Sequence, residues 1–227
     1  MSESVKQKQE KGKENISFVK KIDHFYQKNQ KPIWIAGVAV AVVVLVALIY
    51  FLWYIPSQEN AANQAIIRAE RYFEVDSLNL AVNGDGMHQG LKDVVDEYGM
   101  TKTGNRAKYL LGICYLRMGQ YDDAIKYLKK FSSSDKLVSV QALGSIGDAY
   151  MEKNDMSQAE AYYKKAVSKN QNDLVTPVYL QRLGMLYQMQ GKWSDALTMY
   201  QTIQKEHPQS AEASDIDKRI EFVKGKL

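Results

Sequence analysis

The sequence predicts an all-α protein with one transmembrane helix near the N-terminus, then a solenoid of helix-turn-helix pairs closed by a C-terminal capping helix. Two observations support this fold class. Residues 33–55 form an apolar run without a charge, and the chain beyond it repeats an apolar-Gly-x-x-Tyr pattern three times. A helix rises about 1.5 Å per residue, so a run of this length spans a hydrocarbon core of roughly 30 Å.

The segment before the apolar run divides into two parts. Residues 1–14 are polar and rich in lysine, which predicts a disordered basic arm. From residue 15 to residue 31 apolar side chains recur at helical spacing, which predicts an amphipathic helix lying on the membrane surface. Phe18, Ile22 and Phe25 of this helix are candidate contacts to a membrane partner. Alternatively, the helix serves only to orient the anchor.

Residues 32–56 are predicted to be a transmembrane signal anchor. Pro32 and Pro56 flank the apolar run, and we expect them to mark both of its boundaries. The run exceeds the roughly 7–15 residues of a cleavable signal, so the anchor should stay uncleaved. Gly37 and Ala41 have the spacing of small residues at helix–helix contacts, which makes them candidate contacts to a partner helix. Alternatively, the spacing reflects only the ordinary composition of a membrane-spanning helix.

The charge distribution predicts the orientation of the anchor. Residues 1–31 hold eight Lys and four acidic residues, whereas residues 32–227 hold 22 basic and 22 acidic residues. Positive charge is retained on the cytosolic side of a membrane, so the N-terminus is expected in the cytosol. The larger C-terminal part would then lie in the periplasm of a bacterium. Its neutral balance argues against nucleic acid as a partner.

The sequence lacks the residue patterns of an active site. The chain has one cysteine, Cys114, and three scattered histidines, so no set has metal-ligand spacing. No nucleophile motif or phosphate-binding loop is present either. We therefore expect no catalytic residue, no cofactor, no metal site and no small-molecule substrate.

The three pattern copies share further positions. The glycines are Gly112, Gly147 and Gly184, and twelve residues after each comes an alanine. Four residues further on stands a bulky side chain, Leu128, Tyr163 or Tyr200. We expect each glycine to lie where two helices cross closely, with the bulky side chain filling the adjacent groove. Gly119, Asn154 and Gly191 should end the first helix of each pair in a left-handed conformation.

This pattern resembles the tetratricopeptide repeat, a unit of about 34 residues built of two antiparallel helices. The resemblance implies three repeats over residues 105–209. A degenerate pair is expected over 57–104, with Ala69 and Tyr72 in its first helix, Gly90 and Val94 in its second, and an enlarged turn over 80–86. Residues 210–227 should form a capping helix with Ser210 as its N-cap.

The resemblance also implies a concave groove lined by the first helix of each pair. Repeat positions 2, 5, 9, 12 and 13 would face it, and these include Gln141, Gly144 and Val178. The candidate peptide-groove residues are Arg106, Tyr109, Ile113, Leu116, Arg117, Asp148, Met151, Glu152, Gln181, Met185, Gln188 and Met189. Alternatively, part of this set packs on neighbouring helices. Repeats that clamp a chaperone's C-terminal carboxylate use Lys and Asn at defined groove positions and a Lys-Arg pair further on. The corresponding positions here are Tyr109, Ile113, Ser145, Val178 and Arg182, of which only Arg182 matches, so such a clamp is not expected.

The domain order as a whole resembles the ancillary subunit of the bacterial Sec translocon. The stretch from Phe18-Val19-Lys20-Lys21 to Asn29-Gln30-Lys31 is similar to the segment before the anchor in that family. The resemblance implies a protein of the inner membrane whose periplasmic repeats meet emerging polypeptides or chaperones. One alternative is a scaffold or assembly factor for another cell-envelope or secretion complex. Another is a mitochondrial import receptor, which the positive-inside bias opposes.

Overall fold

The computed structural model describes residues 26–169 and 173–227. Over these residues the chain consists of helices and connecting loops without a strand, which confirms the predicted all-α class. The chain divides into two compact units at Pro56 and Ser57. The predicted disordered arm lies outside the described residues, as does most of the predicted amphipathic helix, including Phe18, Ile22 and Phe25.

The N-terminal unit contains the apolar run. Helix α1, Gln30–Ile49, has no buried residue, and a π-helical turn over Tyr50–Tyr54 follows it. In the part of the chain that the structure describes, the helical stretch Gln30–Glu74 is the one long and apolar enough to cross a bilayer. Pro32 lies in the first turn of α1, where its missing N–H leaves no intrahelical bond unmade.

Pro56 marks the end of the apolar run but does not end the helix. Helix α2, Ile55–Glu74, follows the π-helical turn directly and runs through Pro56. A proline inside a helix clashes with the carbonyl four residues earlier, which here belongs to Leu52 in the π-helical turn. Because a π turn is wider than an α turn, it accommodates the proline ring without breaking the helix.

Helical hairpins build the C-terminal unit. The first hairpin consists of α2 and a short helix, Leu78–Asn83. A second short helix, Leu91–Tyr98, comes before three longer hairpins and a terminal helix. The helices after α2 are α3 Leu78–Asn83, α4 Leu91–Tyr98, α5 Lys102–Arg117, α6 Tyr121–Lys130, α7 Lys136–Glu152, α8 Met156–Lys169, α9 Thr176–Met189, α10 Trp193–Glu206 and α11 Ile216–Lys224.

The predicted glycine contacts hold the three longer hairpins together. A Cβ added to Gly112 would lie 2.6 Å from Leu128 Cγ, and one added to Gly147 would lie 2.6 Å from Tyr163 Cδ1. A Cβ on Gly184 would overlap the Tyr200 ring in the same way. Each bulky partner is buried. The structure thus confirms that glycine is needed where the two helices of each pair meet.

The turns between paired helices are also as predicted. Gly119, Asn154 and Gly191 have φ of 76°, 59° and 71°. At the first of these turns the Gly119 N–H donates to the Leu116 carbonyl at 3.1 Å, and the next N–H donates to the Tyr115 carbonyl at 2.8 Å. These two bonds form a Schellman motif, which satisfies the last carbonyls of the helix. Both bonds recur at the other two turns.

The degenerate first pair differs from its prediction. Its turn lies at Asp76, which has φ of 59°. The Ser77 N–H donates to the Tyr72 carbonyl at 2.8 Å, as in the Schellman motifs of the other hairpins. Residues 80–83, expected in an enlarged turn, belong to α3, and the loop follows over 84–90. Ala81, twelve residues after Ala69, is fully buried and takes the position of the repeat alanines.

Gly90 has a different role from the predicted one. It is the N-cap of α4 and not a contact between crossing helices, although Val94 of α4 is buried as expected. A Cβ on Gly90 would overlap backbone atoms of Val82 and Gly84. The glycine is therefore required because the two ends of the 84–90 loop approach closely.

The C-terminal end of the unit begins with a 3-10 helix. Ser210 is the N-cap residue of this 3-10 helix, Ala211–Asp215, which passes directly into the capping helix, but the Ser210 side chain makes no cap bond. Helix α11 starts only at Ile216. Ile216, Ile220 and Val223 are buried against α10 and its neighbours, as the helical spacing predicts.

Candidate functional site

The first helices of the three longer hairpins, α5, α7 and α9, carry the candidate groove residues. All twelve of these side chains are exposed or half-buried, so each presents surface to solvent. Their surroundings differ between the first repeat and the following two.

A cavity of about 390 Å³ lies between the second and third repeats. Three methionines border it, of which Met185 and Met189 are 46% and 60% exposed. Six of the candidate residues line this cavity together, namely Asp148, Met151, Glu152, Gln181, Met185 and Met189. Gln188 is half-buried and is not among the residues that line it.

A charged network lies at the wall of this cavity. The Arg182 guanidinium pairs with the Asp148 carboxylate, and the Tyr163 hydroxyl donates to Asp148 Oδ1 at 2.7 Å. Arg182 also lies over the Tyr179 ring, 5.8 Å from its centroid. Burial, together with the neighbouring Asp148 carboxylate, raises the pKa of the Tyr163 phenol. The network thus satisfies the charge of Arg182 within the protein.

This network was only partly visible in the sequence. Arg182 and Tyr163 line the cavity, but neither is among the twelve candidate peptide-groove residues. Tyr163 is the bulky partner of Gly147, so its ring fills the helix crossing while its hydroxyl reaches the cavity. Asp148 and Arg182 stand 34 residues apart, about one repeat length, which is the signal that could have indicated their pairing.

Neighbouring helices partly cover the first-repeat candidates. Arg106 pairs with Glu70 at 2.9 Å, and Arg117 pairs with Asp76 at 2.7 Å, so both arginines reach back to the preceding hairpin. Tyr109 lies against the Phe131 ring with a centroid distance of 5.2 Å. Ile113 and Leu116 pack against the buried apolar core that includes Leu111, Tyr115 and Leu128. These residues are therefore held by packing and ion pairs rather than gathered at the cavity.

The remaining groove positions also divide between exposure and packing. A Cβ on Gly144 would overlap the Tyr179 ring, so this glycine allows α7 and α9 to approach. Gln141 stays exposed and accepts a hydrogen bond from the Tyr109 hydroxyl at 3.4 Å. Val178 is half-buried.

The small residues of α1 form a notch in the N-terminal unit. Gly37 and Ala41 line a concavity of about 350 Å³ together with Tyr26, Ile33, Trp34 and Val38. A Cβ on Gly37 would meet no atom within 4 Å, so the glycine leaves open space on the helix surface. The side chains that line this notch carry no charge. Contact with a partner helix at this place stays a prediction.

The described residues do not include three His, Cys, Asp or Glu side chains grouped as a metal site would require. Cys114 is fully buried, and burial raises the pKa of its thiol to about 11. The thiolate is the reactive form of cysteine, so burial disfavours the reactive form of Cys114.

The family comparison agrees with the hairpin geometry. Residues 105–173 match a family model described as tetratricopeptide repeat, and residues 179–210 match a second model with the same description. No curated protein matches the chain. Such repeats are typically non-catalytic modules that bind other proteins. The hairpins from α5 to α10 are thus tetratricopeptide repeats, which supports a protein–protein interaction module in this part of the chain.

Proposed function

We propose that the protein is a membrane-anchored receptor for apolar polypeptide segments, which it binds in the cavity between α7 and α9. The observation that carries this proposal is the set of methionines Met151, Met185 and Met189 around one cavity. Methionine is unbranched and flexible, so it adapts to apolar side chains of different shapes. The volume of about 390 Å³ falls within the usual range for a binding pocket.

The charges around the cavity favour a ligand without acidic groups. Arg182 is already paired with Asp148, so binding a ligand carboxylate would require breaking that pair. Glu152 accepts a hydrogen bond from the Tyr121 hydroxyl at 3.3 Å and adds a negative charge beside the methionines. An apolar segment that is neutral or basic fits this environment. These contacts also argue against a carboxylate clamp.

We propose that helix α1 spans the membrane, so that the cavity lies on the side opposite the N-terminus. Its apolar side chains are exposed along its length, as a lipid-facing helix requires. The lysines of residues 1–31 keep the N-terminus cytosolic, and the repeats then lie in the periplasm of a bacterial inner membrane.

The domain order supports a place beside the Sec translocon. An ancillary subunit held there by α1 would meet emerging polypeptides or periplasmic chaperones with its repeats. The alternative is a scaffold or assembly factor for another cell-envelope or secretion complex, which would use the same anchor and cavity for a different client.

The orientation is tested by protease treatment of intact spheroplasts that express the chain with an epitope after Leu227. Protease should remove the repeat region and leave the segment before α1 protected, because only the periplasmic side is accessible. Opened spheroplasts provide the control for protease activity. Repeats that survive in intact spheroplasts and are cleaved in opened ones would contradict the periplasmic placement.

The partner is tested by crosslinking from α1 in the membrane. A photoreactive residue in place of Ala41 should capture the translocon channel, since Ala41 lies in the open notch of the helix. The matched control replaces Val43, which lies on the other side of α1 and is 68% exposed. If products at Ala41 contain another envelope complex and not the channel, the alternative scaffold replaces the translocon in this account.

A further inference from the structure

A second cavity opens where the first repeat is shorter than the others. Helix α6 ends at Lys130 and has 10 residues, whereas α8 and α10 each have 14. At the end of α6 the backbone turns extended at Phe131, with φ of −76° and ψ of 141°, and three serines follow. The missing helical turn leaves a cavity of about 380 Å³ between α6, α7 and α8.

This cavity is separate from the one between the second and third repeats. Ala142, Leu143 and Ile146 are the α7 residues that form its apolar wall, whereas Asp148 and Met151 of α7 line the other cavity. At about 3.6 residues per turn, these two sets point to opposite sides of the helix. A ligand in one cavity therefore leaves the other accessible.

The charge of the second cavity is positive. Lys129, Lys165 and Lys169 line it, and its lining contains no Asp or Glu. In the described part of the chain the lysines with a carboxylate partner are others, such as Lys153 and Lys164. Among residues 26–169 and 173–227, no carboxylate pairs with the three cavity lysines, so their positive charges are not neutralised there.

Aromatic rings hold two of these ammonium groups in place. Lys129 Nζ donates to the Tyr150 hydroxyl at 2.8 Å and lies 5.5 Å from the centroid of the Tyr162 ring. Lys165 Nζ lies 4.5 Å from the centroid of the same ring. The bond to Tyr150 raises the pKa of Lys129, which keeps it protonated. Cation–π contacts position the charges without removing them.

We propose that this cavity is a second binding site, which takes an acidic peptide segment carrying an apolar side chain. The carboxylates pair with Lys129, Lys165 and Lys169, and the apolar side chain enters between Phe131 and Ile146. The Ser132 hydroxyl offers a donor at the same cavity, whereas the Ser139 hydroxyl donates to the Lys136 carbonyl at 3.1 Å. A free anion would leave the apolar wall unused. A bilayer presents its phosphates on a surface, whereas these lysines border a recess.

The test measures binding of a fluorescent peptide of alternating Glu and Leu to the full chain in phosphatidylcholine nanodiscs. Lys165→Glu/Lys169→Glu should weaken binding about tenfold, because attraction becomes repulsion at two positions. Neutral Lys165→Gln/Lys169→Gln should weaken it about threefold, which guards against misfolding of the charge-reversed variant. Circular dichroism of each variant checks the helical fold. The matched control is Lys205→Glu/Lys218→Glu, since both of these lysines are exposed and neither lines the cavity.

The outcomes separate this site from general charge attraction and from lipid binding. Support requires that the control variant binds like the wild type and that a Gln-for-Glu peptide fails to bind. An equal loss in the control variant would overturn the proposal, as would equal binding of the Gln peptide. Phosphatidylglycerol vesicles form the membrane arm. If the chain binds these vesicles through Lys165 and Lys169 but does not bind the acidic peptide, the site is a lipid headgroup site and the peptide proposal is overturned.

Discussion

Corresponding repeat positions have different surroundings at the two ends of the groove. In the first repeat Arg106 and Arg117 pair with Glu70 and Asp76 of the preceding hairpin. In the second and third repeats Asp148 pairs with Arg182, and methionines border an open cavity. Repeat register therefore indicates where a side chain points, whereas the adjacent hairpin determines whether that side chain is free to bind a ligand.

The largest expected effect comes from filling the contact between α7 and α9. Gly144→Val places side-chain atoms where the Tyr179 ring lies, so the two helices must separate. We expect a loss of about 3 kcal/mol in the free energy of unfolding, together with loss of the cavity between them. Urea denaturation of the full chain in detergent, followed by circular dichroism, measures this change.

The control for this substitution is Gly225→Ala. The nearest atom to an added Cβ at Gly225 is 3.5 Å away, so this variant should change the free energy by less than about 0.5 kcal/mol. Equal stability of the Gly144→Val and Gly225→Ala variants would show that the two helices do not depend on this close contact.

Alkaline pH should lower the free energy of unfolding through ionisation of Tyr179, which lies between α7 and α9. Burial raises the pKa of this phenol from 10.0 to about 12. Below pH 10 the phenol is neutral in both states and the stabilisation is complete. Between the unfolded and folded pKa values only the unfolded chain loses the proton, so roughly 2–3 kcal/mol of stability is lost as the pH rises.

Comparison of the wild type with Tyr179→Phe isolates this effect from lysine titration. The variant should lose less stability over the same pH range, because its unfolded state has one fewer phenol to ionise. Urea midpoints measured at successive pH values provide the check. Identical pH dependence of the two proteins would rule out Tyr179 as the source.

The Asp148–Arg182 and Asp76–Arg117 ion pairs should contribute unequally to the free energy of unfolding. Asp148 is 21% exposed and also accepts the Tyr163 hydrogen bond, whereas Asp76 is 65% exposed. Asp148→Asn should cost about 1 kcal/mol and Asp76→Asn less than about 0.5 kcal/mol, since exposed pairs are screened by water. Urea denaturation of both variants compares them directly. Equal losses of stability in the Asp148→Asn and Asp76→Asn variants would contradict this difference between the two ion pairs.

The smallest expected effect lies in the turns. Asn154 holds a φ of 59° where two other repeats have glycine, so Asn154→Gly should raise the free energy of unfolding by about 0.5 kcal/mol. Asp76→Gly relieves the same backbone strain but removes the partner of Arg117, so its net change should be smaller. Thermal unfolding of both variants measures which of the two is stabilised more. A destabilised Asn154→Gly variant would contradict the turn argument.

The local parts of the repeat were predictable from the sequence. Glycines such as Gly112 and Gly147 stand at a fixed spacing before their bulky partners, because helix crossing requires a small residue there. The left-handed turn residues follow from the same local chemistry. Ala81 also follows this spacing, since it stands twelve residues after Ala69, but the short α3 helix hides the pattern.

Contacts that depend on neighbouring hairpins were not predictable in the same way. The partners of Arg106 and Arg117 come from α2 and its turn, outside the clear repeats. The passage of α2 through Pro56 depends on a π-helical turn for which the sequence offers no recognised pattern. The early end of α6 at Phe131 likewise opens a cavity that the repeat register alone does not indicate.

The most direct test of the account measures binding of an apolar peptide without acidic residues to the full chain in phosphatidylcholine nanodiscs. Met185→Glu/Met189→Glu should weaken binding at least tenfold, or about 1.4 kcal/mol, because charges would replace the apolar border of the cavity. Arg106→Ala/Arg117→Ala should change binding less than about twofold, since these side chains are held by Glu70 and Asp76. Loss of binding in the arginine variant with full binding in the methionine variant would contradict the account.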